Sequence, residues 1–480
     1  MAELSHGRRM LILGICAMSL LMVGLDSTIV NVALPSIQRD LHAQVSGLQW
    51  VIDAYTLVIA SLLMLSGSMG DRLGRRRVFQ VGLTLFTLGS LLCSLAPTLG
   101  FLIAFRMIQA VGGSMMNPVA LSIITNVFTD PKERARAVGI WGAVFGLSLA
   151  LGPVIGGVLV DTVGWRSIFW VNIPVGVAVI LLTQLFVPES KAERIRRVDP
   201  IGQVLVIVAL ASLTYAIIEG PEHGWASAEI IGFFVLAVAA AVGLVLYEQR
   251  RTEPLIDLRF FRSAPFSGAT AIAVCAFATM GALLFLSVLY LQDVRGLDAL
   301  HAGLYLLPAA AMTLIFAPIS GRIVGARGPR IPLLIAGVGL TVGAIMLTFL
   351  GLNTPTWYIL LSFLVFGIGN AMVNPPITNT AVSGMPRAQA GVAAAIASTG
   401  RQTGSSLGVA IVGSIVSADV ASGSFSHHFI SAASVAWWVV AGFGFVVLIL
   451  GLVTSGRWAR STAERTAERL RPKPVTAGTR

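Results

Sequence analysis

Fourteen long apolar stretches follow one another along this chain of 480 residues. Each is close to the ~20 residues that a helix needs to cross ~30 Å of hydrocarbon, and lipid admits only helices or closed barrels. The composition agrees, because 56% of the residues are hydrophobic and 11% are charged, whereas about 25% are charged in soluble domains. The sequence therefore predicts an all-α polytopic membrane protein with 14 transmembrane helices.

The basic residues are distributed unevenly between the two sides of these helices. Of the 33 Lys and Arg residues, nearly all fall in alternate gaps; the other gaps hold only Arg39, Arg166 and Arg295. The positive-inside rule then places both termini in the cytoplasm of an integral cytoplasmic-membrane protein. The net charge of +11 lies in short loops beside an anionic leaflet, without interleaved aromatics, which argues against nucleic acid as a partner. No obligate protein partner is indicated.

Motif positions in the first half of the chain recur in the second half. Gly67, Gly74 and Arg76 recur 254 residues later (321 − 67) as Gly321, Gly328 and Arg330, and Gly112, Asn117 and Pro118 recur 257 residues later (374 − 117) as Gly369, Asn374 and Pro375. The repeat predicts a six-helix bundle over residues 1–190, inserted helices 7 and 8 with flanking loops over 191–262, a second six-helix bundle over 263–456, and a basic cytoplasmic tail over 457–480. Parallel repeats are typical of rocking-bundle transporters.

The repeat fails at two charged positions. At the same offsets Asp71 is replaced by Gly325, and Arg106 by Phe363. A charge that the shared scaffold does not require is a candidate for function.

Three ionisable residues are predicted to share one membrane layer. Helix rise places Asp26, Asp53 and Arg106 in the outer half of the hydrocarbon. A charge at that depth costs at least ~2.5 to 3.5 kcal/mol and usually marks function. Arg106 is a candidate partner for either carboxylate, and we expect the three to couple transport to protons, Asp26 first. The alternative for each carboxylate is a static polar contact without a role in transport. For Asp53 this alternative and proton coupling are equally favoured.

Four motifs occur in order, and the last three of them contain glycine. Residues 25–35 read LDSTIVNVALP, residues 67–77 GSMGDRLGRRR, residues 106–113 RMIQAVGG and residues 152–157 GPVIGG, followed by WRSIFW at 165–170. Over essentially the whole chain this resembles the fourteen-helix drug:proton antiporter branch of the major facilitator superfamily, of the multidrug and quaternary-ammonium exporter type. The resemblance implies an inner gate and an antiporter motif. The gate would comprise Gly67, Asp71, Arg72, Gly74 and Arg76, and the antiporter motif Gly146, Gly152, Pro153, Gly156 and Gly157.

The candidate substrate cavity is less sharply defined. Arg401 and Gln402 fall near the midplane of helix 13, where contact with substrate or protons and structural pairing between bundles are equally favoured. Met116, Asn117 and Asn374 are further candidate lining residues. Soft side chains such as Met suit varied hydrophobic substrates, although they also serve plain packing.

Together these features predict a transporter and not an enzyme. We expect proton-coupled export of hydrophobic, in some cases cationic, small molecules such as drugs or antibiotics, by alternating access. The expected partners are the hydrophobic substrate, protons and membrane lipid. The sequence contains no nucleotide-binding P-loop, and it predicts no cofactor and no metal, with the proton gradient as driving force. A dedicated exporter of a metabolite or lipid is the alternative. An uptake symporter is disfavoured by the Gly-Pro motif, and a membrane sensor by the lack of a soluble output domain.

Overall fold

The computed structural model describes residues 5–191, 199–251, 254–383, 390–420 and 425–470. The end of the predicted tail, 471–480, lies outside these ranges. Within them the chain forms helices joined by short connections. The helices are α1 His6–Leu41, α2 Val45–Leu73, α3 Arg75–Ser94, α4 Leu99–Val127, α5 Pro131–Thr162, α6 Ser167–Trp170, α7 Asn172–Phe186, α8 Pro200–His223, α9 Ala228–Glu248, α10 Ala264–Leu289, α11 Ala299–Arg327, α12 Arg330–Leu347, α13 Thr356–Val382, α14 Ala390–Val420, α15 Phe425–Thr454 and α16 Arg457–Leu470. A 3₁₀ turn, Leu258–Arg262, precedes α10, and a π turn, Tyr290–Val294, follows it.

Thirteen helical segments in the described ranges are long and apolar enough to cross a membrane, with α6 and α7 counted as one segment. The chain is therefore an integral membrane protein of the all-helical class. The predicted thirteenth helix corresponds to α14, which is not among the thirteen. Arg401 and Gln402 lie in the middle of α14 among small polar residues, and they lower its mean hydropathy. The count of fourteen spans remains a prediction.

Equivalent helices of the two halves make equivalent contacts. α3 packs on α4, and α12 packs on α13. A Cβ atom at Gly112 of α4 would overlap the backbone of Phe86, and one at Gly369 of α13 would overlap the backbone of Leu340. Phe86 and Leu340 are separated by the repeat offset of 254 residues (340 − 86). Glycine at these positions allows the helix backbones to approach closely.

The two inserted helices lie against the boundary between the halves. α8 packs on α9 and also on α2 and α14, one helix from each half. Three polar contacts fix α8 to α2: Ser46 donates to Glu222 at 2.6 Å, Trp50 donates from Nε1 to Glu219 at 2.6 Å, and Gln203 donates to the carbonyl of Ser61 at 2.5 Å.

The two halves touch at one end of the molecule and separate at the other. We call the end at which α1 begins and α15 ends the basic end, and the opposite end the distal end. Near the distal end Gly157 of α5 lies against the backbone of Leu300 of α11. Nearer the basic end, nothing lies within 4 Å of a Cβ built on Gly142 of α5 or Gly321 of α11. Among the described residues, α5 and α11 are therefore in contact near the distal end and apart nearer the basic end. We call the first end closed and the second open in this sense.

Candidate functional site

A fully buried ion pair joins α1 to α4. Arg106 donates from Nη1 to the carboxylate of Asp26 at 2.5 Å. Arg106 is 1% exposed and Asp26 0%, so neither charge is solvated by water. Each compensates the other, and removal of one partner would leave the other charge buried and unpaired.

Polar side chains from two further helices complete this pair. Gln109, one helical turn after Arg106, accepts from Arg106 at 2.6 Å and donates to Asp26 at 2.9 Å. Asn172 of α7 donates to Asp26 at 3.2 Å, and the hydroxyl of Ser90 of α3 accepts from Gln109 at 2.6 Å. The network thus ties together α1, α3, α4 and α7. Such fully partnered buried networks fix side-chain positions.

The guanidinium of Arg106 is also held from its faces. It lies 3.9 Å from the ring centroid of Tyr55 and 5.9 Å from that of Phe169. Its Nε donates to the carbonyl of Val51 at 3.3 Å. The planar, forked guanidinium can stack on a ring and donate in several directions at once, whereas the compact ammonium of lysine could not make all of these contacts together.

Asp53, the other predicted carboxylate, does not join this network. It is 0% exposed, and neither of its oxygens has a hydrogen-bond partner at ordinary distance among the residues that the structure describes. From the opposite half, the hydroxyl of Ser406 on α14 faces this carboxyl group. One turn away, Gln49 donates to the carbonyl of Ala410 of α14 at 2.9 Å. Asp53 therefore lies at the boundary between the halves, and of the two partners predicted for Arg106 the structure selects Asp26.

The predicted inner gate lies at the basic end and makes its polar contacts within the first half. Asp71 accepts from Arg75, one turn along, at 2.9 Å. Arg72 is exposed and makes no ion pair within the described ranges. Gly74 has φ +115°, a conformation that favours glycine. Gly67 has ordinary contacts only. Among the described residues, no hydrogen bond or ion pair joins the gate to the second half in this conformation.

Glu189, which follows α7, was not predicted from the sequence. Its carboxylate accepts from the backbone N–H of Arg76 at 3.1 Å, at the first turn of α3. A Cβ at Gly74 would overlap that carboxylate. A carboxylate at a helix N-terminus satisfies free N–H groups and complements the helix dipole. Glu189 thus anchors the gate segment to the end of the first bundle.

The predicted antiporter motif gives α5 two close-packing faces. Cβ atoms at Gly152 and Gly156 would overlap Thr28 and Ile29 of α1. A Cβ at Gly157 would overlap α11 in the opposite half, and the carbonyl of Pro153 lies against Gly303 of α11. Gly146, nearer the middle of α5, makes only ordinary contact. The motif therefore packs α5 on its own bundle and on the other bundle at once.

Three polar side chains cross the boundary near the distal end, and we call Gln49, Asp161 and Gln292 the distal gate. Asp161, at the end of α5, accepts from the backbone N–H groups of Ala299 and Leu300 at 3.2 and 2.8 Å. It therefore caps α11 of the opposite half. Gln292 donates to the carbonyl of Val32 on α1 at 2.8 Å.

The second half carries one cation near its middle. Arg401 donates to Asn374 at 3.1 Å and to Ser398 at 2.7 Å. It has no acidic partner among the described residues, and its guanidinium lies 6.0 Å from the ring centroid of Phe277. Of the remaining candidates, Gln402 is half-buried, and the Oδ1 of Asn117 is buried without a partner in the described chain.

Met116 is placed differently from the prediction. It is 0% exposed and packs in the apolar core of the first half, next to Gly82. It therefore lines no cavity in this conformation, because helical spacing alone does not separate a core methionine from a lining one. Among the described residues, no group of His, Cys, Asp or Glu is placed to hold a metal ion.

Several residues of the site had little signal in the sequence. Gln109 lies in the quoted RMIQ segment, and its spacing from Arg106 places both on one helix face. Asn172 and Asp161 are single polar residues near helix ends, so nothing in the sequence names their partners. Those contacts depend on helices far apart in the chain.

Comparison with known proteins adds independent information. The family model described as Major Facilitator Superfamily matches residues 16–409. The Multidrug resistance protein Stp of Mycobacterium tuberculosis is 40% identical over 404 residues, which are 84% of this chain and 74% of that protein. The Tetracenomycin C resistance and export protein of Streptomyces glaucescens is 37% identical over 407 residues, 84% of this chain and 75% of that protein.

Solved structures share the fold. One is a bacterial homologue of the human drug peptide transporters PepT1 and PepT2, with a TM-score of 0.68 and 15% identity, covering 95% of this chain and 99% of that one. At this identity the likeness concerns the fold alone.

Proposed function

The chain belongs to the major facilitator superfamily, and we propose that it exports hydrophobic small molecules, such as drugs or antibiotics, in exchange for protons. Relatives named as resistance and export proteins at 37% and 40% identity support drug export. The observation that carries proton coupling is Asp53, a buried carboxylate that no described cation pairs with, at the boundary that must open. An ionised carboxylate there is far costlier than its neutral acid. Opening the boundary to water would remove that cost.

In the proposed cycle the protein alternates between a state closed at the distal end and a state closed at the basic end. In the conformation observed, the basic end is open, and substrate would enter there while the distal gate is closed. Separation of the distal gate would expose the substrate and Asp53 to the other side. One proton moved through ~100 mV supplies ~2.3 kcal/mol, a roughly 50-fold gradient, so proton coupling is energetically sufficient.

The proposal includes an orientation. The basic end faces the cytoplasm, the protein lies in the cytoplasmic membrane, and 14 spans place both termini inside. The concentration of arginine at that end supports this orientation through the positive-inside rule. The predicted inner gate, with Asp71 and Arg72, would close the basic end in the alternate state.

Transport in everted vesicles tests the function directly. We expect lipophilic compounds of unrelated structure to accumulate when the lumen is acidified, and accumulation to collapse when an ionophore dissipates the pH gradient at constant potential. Vesicles without the protein are the control. Accumulation of a single metabolite or lipid and no response to the drug panel would favour a dedicated exporter. Accumulation indifferent to both pH and potential would refute proton coupling.

The distal gate can be tested separately. Asp161→Ala removes an interbundle helix cap worth about 0.5 to 2 kcal/mol, which should shift the closed-to-open equilibrium by roughly tenfold towards the open distal end. Labelling of a cysteine introduced next to the gate measures that shift.

Asp298→Ala is the matched control for this shift. Asp298 caps the same helix from within its own half. The backbone N–H of His301 lowers the pKa of Asp298, so this cap stays ionised at neutral pH. Equal labelling in both variants would contradict the assignment of Asp161.

A further inference from the structure

An open cavity of about 430 Å³ lies at the basic end of the second half, away from the boundary between the bundles. It is formed by the start of α10, the end of α15, the 3₁₀ turn and α16. Apolar side chains such as Leu450, Val453 and Ala271 line its floor, and Arg262 and Trp458 lie at its edge. The volume is within the range of small-molecule sites, ~300–1,000 Å³.

The helix that closes one side of the cavity is amphipathic. In α16 the buried residues Ala459, Ala463, Thr466 and Leu470 form one stripe at helical spacing. That stripe packs towards α10 and the 3₁₀ turn, and the hydroxyl of Thr462 accepts from the backbone N–H of Ala264 at 2.9 Å. α16 therefore lies on the bundle at the level where the hydrocarbon of the membrane ends.

The outward side of this helix presents groups that suit a lipid surface. Trp458 is 63% exposed, and tryptophan is enriched at membrane interfaces. α16 also contains Arg457, Arg460, Arg465 and Arg469 against two glutamates. Basic amphipathic helices of this kind bind anionic headgroups while their apolar side contacts acyl chains.

One cation at the cavity is uncompensated. In the 3₁₀ turn, Arg259 is paired with Asp257 at 2.7 Å. Arg262, three residues on, is exposed and has no ion pair or side-chain hydrogen bond in the described part of the chain. The two arginines carry the same charge, but only Arg262 is available to an anion beside the apolar floor.

We propose that this cavity binds an anionic phospholipid of the cytoplasmic leaflet, with an acyl chain along α10 and α15 and the phosphate on Arg262. The juxtaposition of an apolar floor, an unpaired arginine and an exposed tryptophan matches the two chemically different parts of such a lipid. The proposal depends on the membrane location of the chain and not on what it transports. The bound lipid would link α16 to the 3₁₀ turn that joins the inserted helices to the second bundle.

Quenching of Trp458 fluorescence by brominated lipids tests the proposal. The full-length protein is reconstituted in phosphatidylcholine vesicles that contain a minority of one brominated lipid. The brominated lipid is phosphatidylglycerol in one sample and phosphatidylcholine in the other. The Trp458→Phe variant gives the contribution of the other tryptophans, which is subtracted. We expect brominated phosphatidylglycerol to quench Trp458 with a roughly fivefold preference, the factor typical of one basic residue near an anionic surface.

Two variants and one matched control assign the site. Arg262→Gln should bring the preference close to one, whereas Arg259→Gln, which removes the same charge from an existing ion pair, should leave it unchanged. Ala271→Phe fills the cavity and should reduce quenching by both lipids. Equal quenching by the two lipids in the unmodified protein, or equal effects of the two arginine variants, would overturn the proposal. Displacement of the brominated lipid by a transported compound, unaffected by Arg262→Gln, would overturn it in favour of a substrate site.

Discussion

The cores of the two six-helix bundles are built on the same helix contacts but differ in chemistry. In the first, Arg106 is buried against Asp26 within a polar network. At the equivalent place in the second (363 − 106 = 257), Phe363 is 0% exposed in an apolar core. The close approach at Gly112 and Gly369 is retained in both.

This difference distinguishes the residues that the shared fold requires from those that are specific to the first bundle. A six-helix bundle of this fold needs no charge at that position, since the second bundle packs a phenylalanine there. The ion pair of the first bundle is therefore retained for a reason other than packing, because burial of two charges rarely stabilises a fold better than apolar side chains do. We therefore propose that the first bundle carries the proton-handling role and expect the second to serve mainly as its packing partner.

The largest expected effect tests this division directly. Arg106→Ala leaves Asp26 buried without a cation, which should cost about 3 to 5 kcal/mol and abolish transport. Arg106→Lys keeps the charge but loses the forked donor geometry, so it should recover transport only in part. Vesicle transport and the amount of folded protein in the membrane are measured together.

Phe363→Leu, at the equivalent position, is the control for Arg106→Ala. It should lower stability modestly while transport continues. Normal transport by Arg106→Ala would show that the asymmetry between the bundles has no functional meaning.

The two carboxylates of the first bundle should respond in opposite ways. Asp26→Asn leaves Arg106 without its counter-charge and should destabilise the protein by about 3 kcal/mol. Asp53→Asn replaces an unpaired carboxylate by a neutral group, so stability should be unchanged or higher. Both variants should lose uphill, pH-driven transport. Thermal unfolding in detergent distinguishes them, and equal losses of stability would mean that Asp53 is paired as firmly as Asp26.

What the bundles share can be tested at their glycines. Gly112→Ala and Gly369→Ala each place a Cβ against the backbone of the neighbouring helix, and each should cost about 1 to 3 kcal/mol. Gly139→Ala, where no described atom lies within 4 Å, serves as the control. It should be neutral or stabilising by up to about 1 kcal/mol in thermal unfolding, because alanine is favoured over glycine inside a helix. A large cost in only one bundle would show that the repeat is not structurally equivalent.

The smallest effect is expected at the cation of the second bundle. Arg401→Gln removes hydrogen bonds to Asn374 and Ser398 but unpairs no described acidic residue, so stability should change by about 1 kcal/mol. We expect changed selectivity among substrates with proton coupling retained. Loss of coupling as severe as that of Asp53→Asn would place Arg401 in the proton pathway and weaken the division between the bundles.

The helical membrane class and the internal repeat could be predicted from the order of residues alone. The class depends on the length of apolar runs, and the repeat depends on motifs that recur at fixed offsets, so neither requires knowledge of how the helices pack. The sequence also identified Asp26, Arg106 and Asp53 as unusual, because charges inside hydrocarbon are costly wherever they point. The predicted span with Arg401 and Gln402 corresponds to α14, which is not among the thirteen clearly apolar helices of the described ranges.

Which of these groups contact one another depends on how the helices pack. Asp26 and Asp53 share a predicted layer, but rotation of α1 and α2 turns one towards Arg106 and the other towards α14. Met116 and Asp161 show the same limit: one lies in the core and the other caps a helix of the opposite bundle. Depth in the membrane follows from position along one helix, whereas azimuth and partners depend on how several helices pack, which residue spacing within a single helix does not specify.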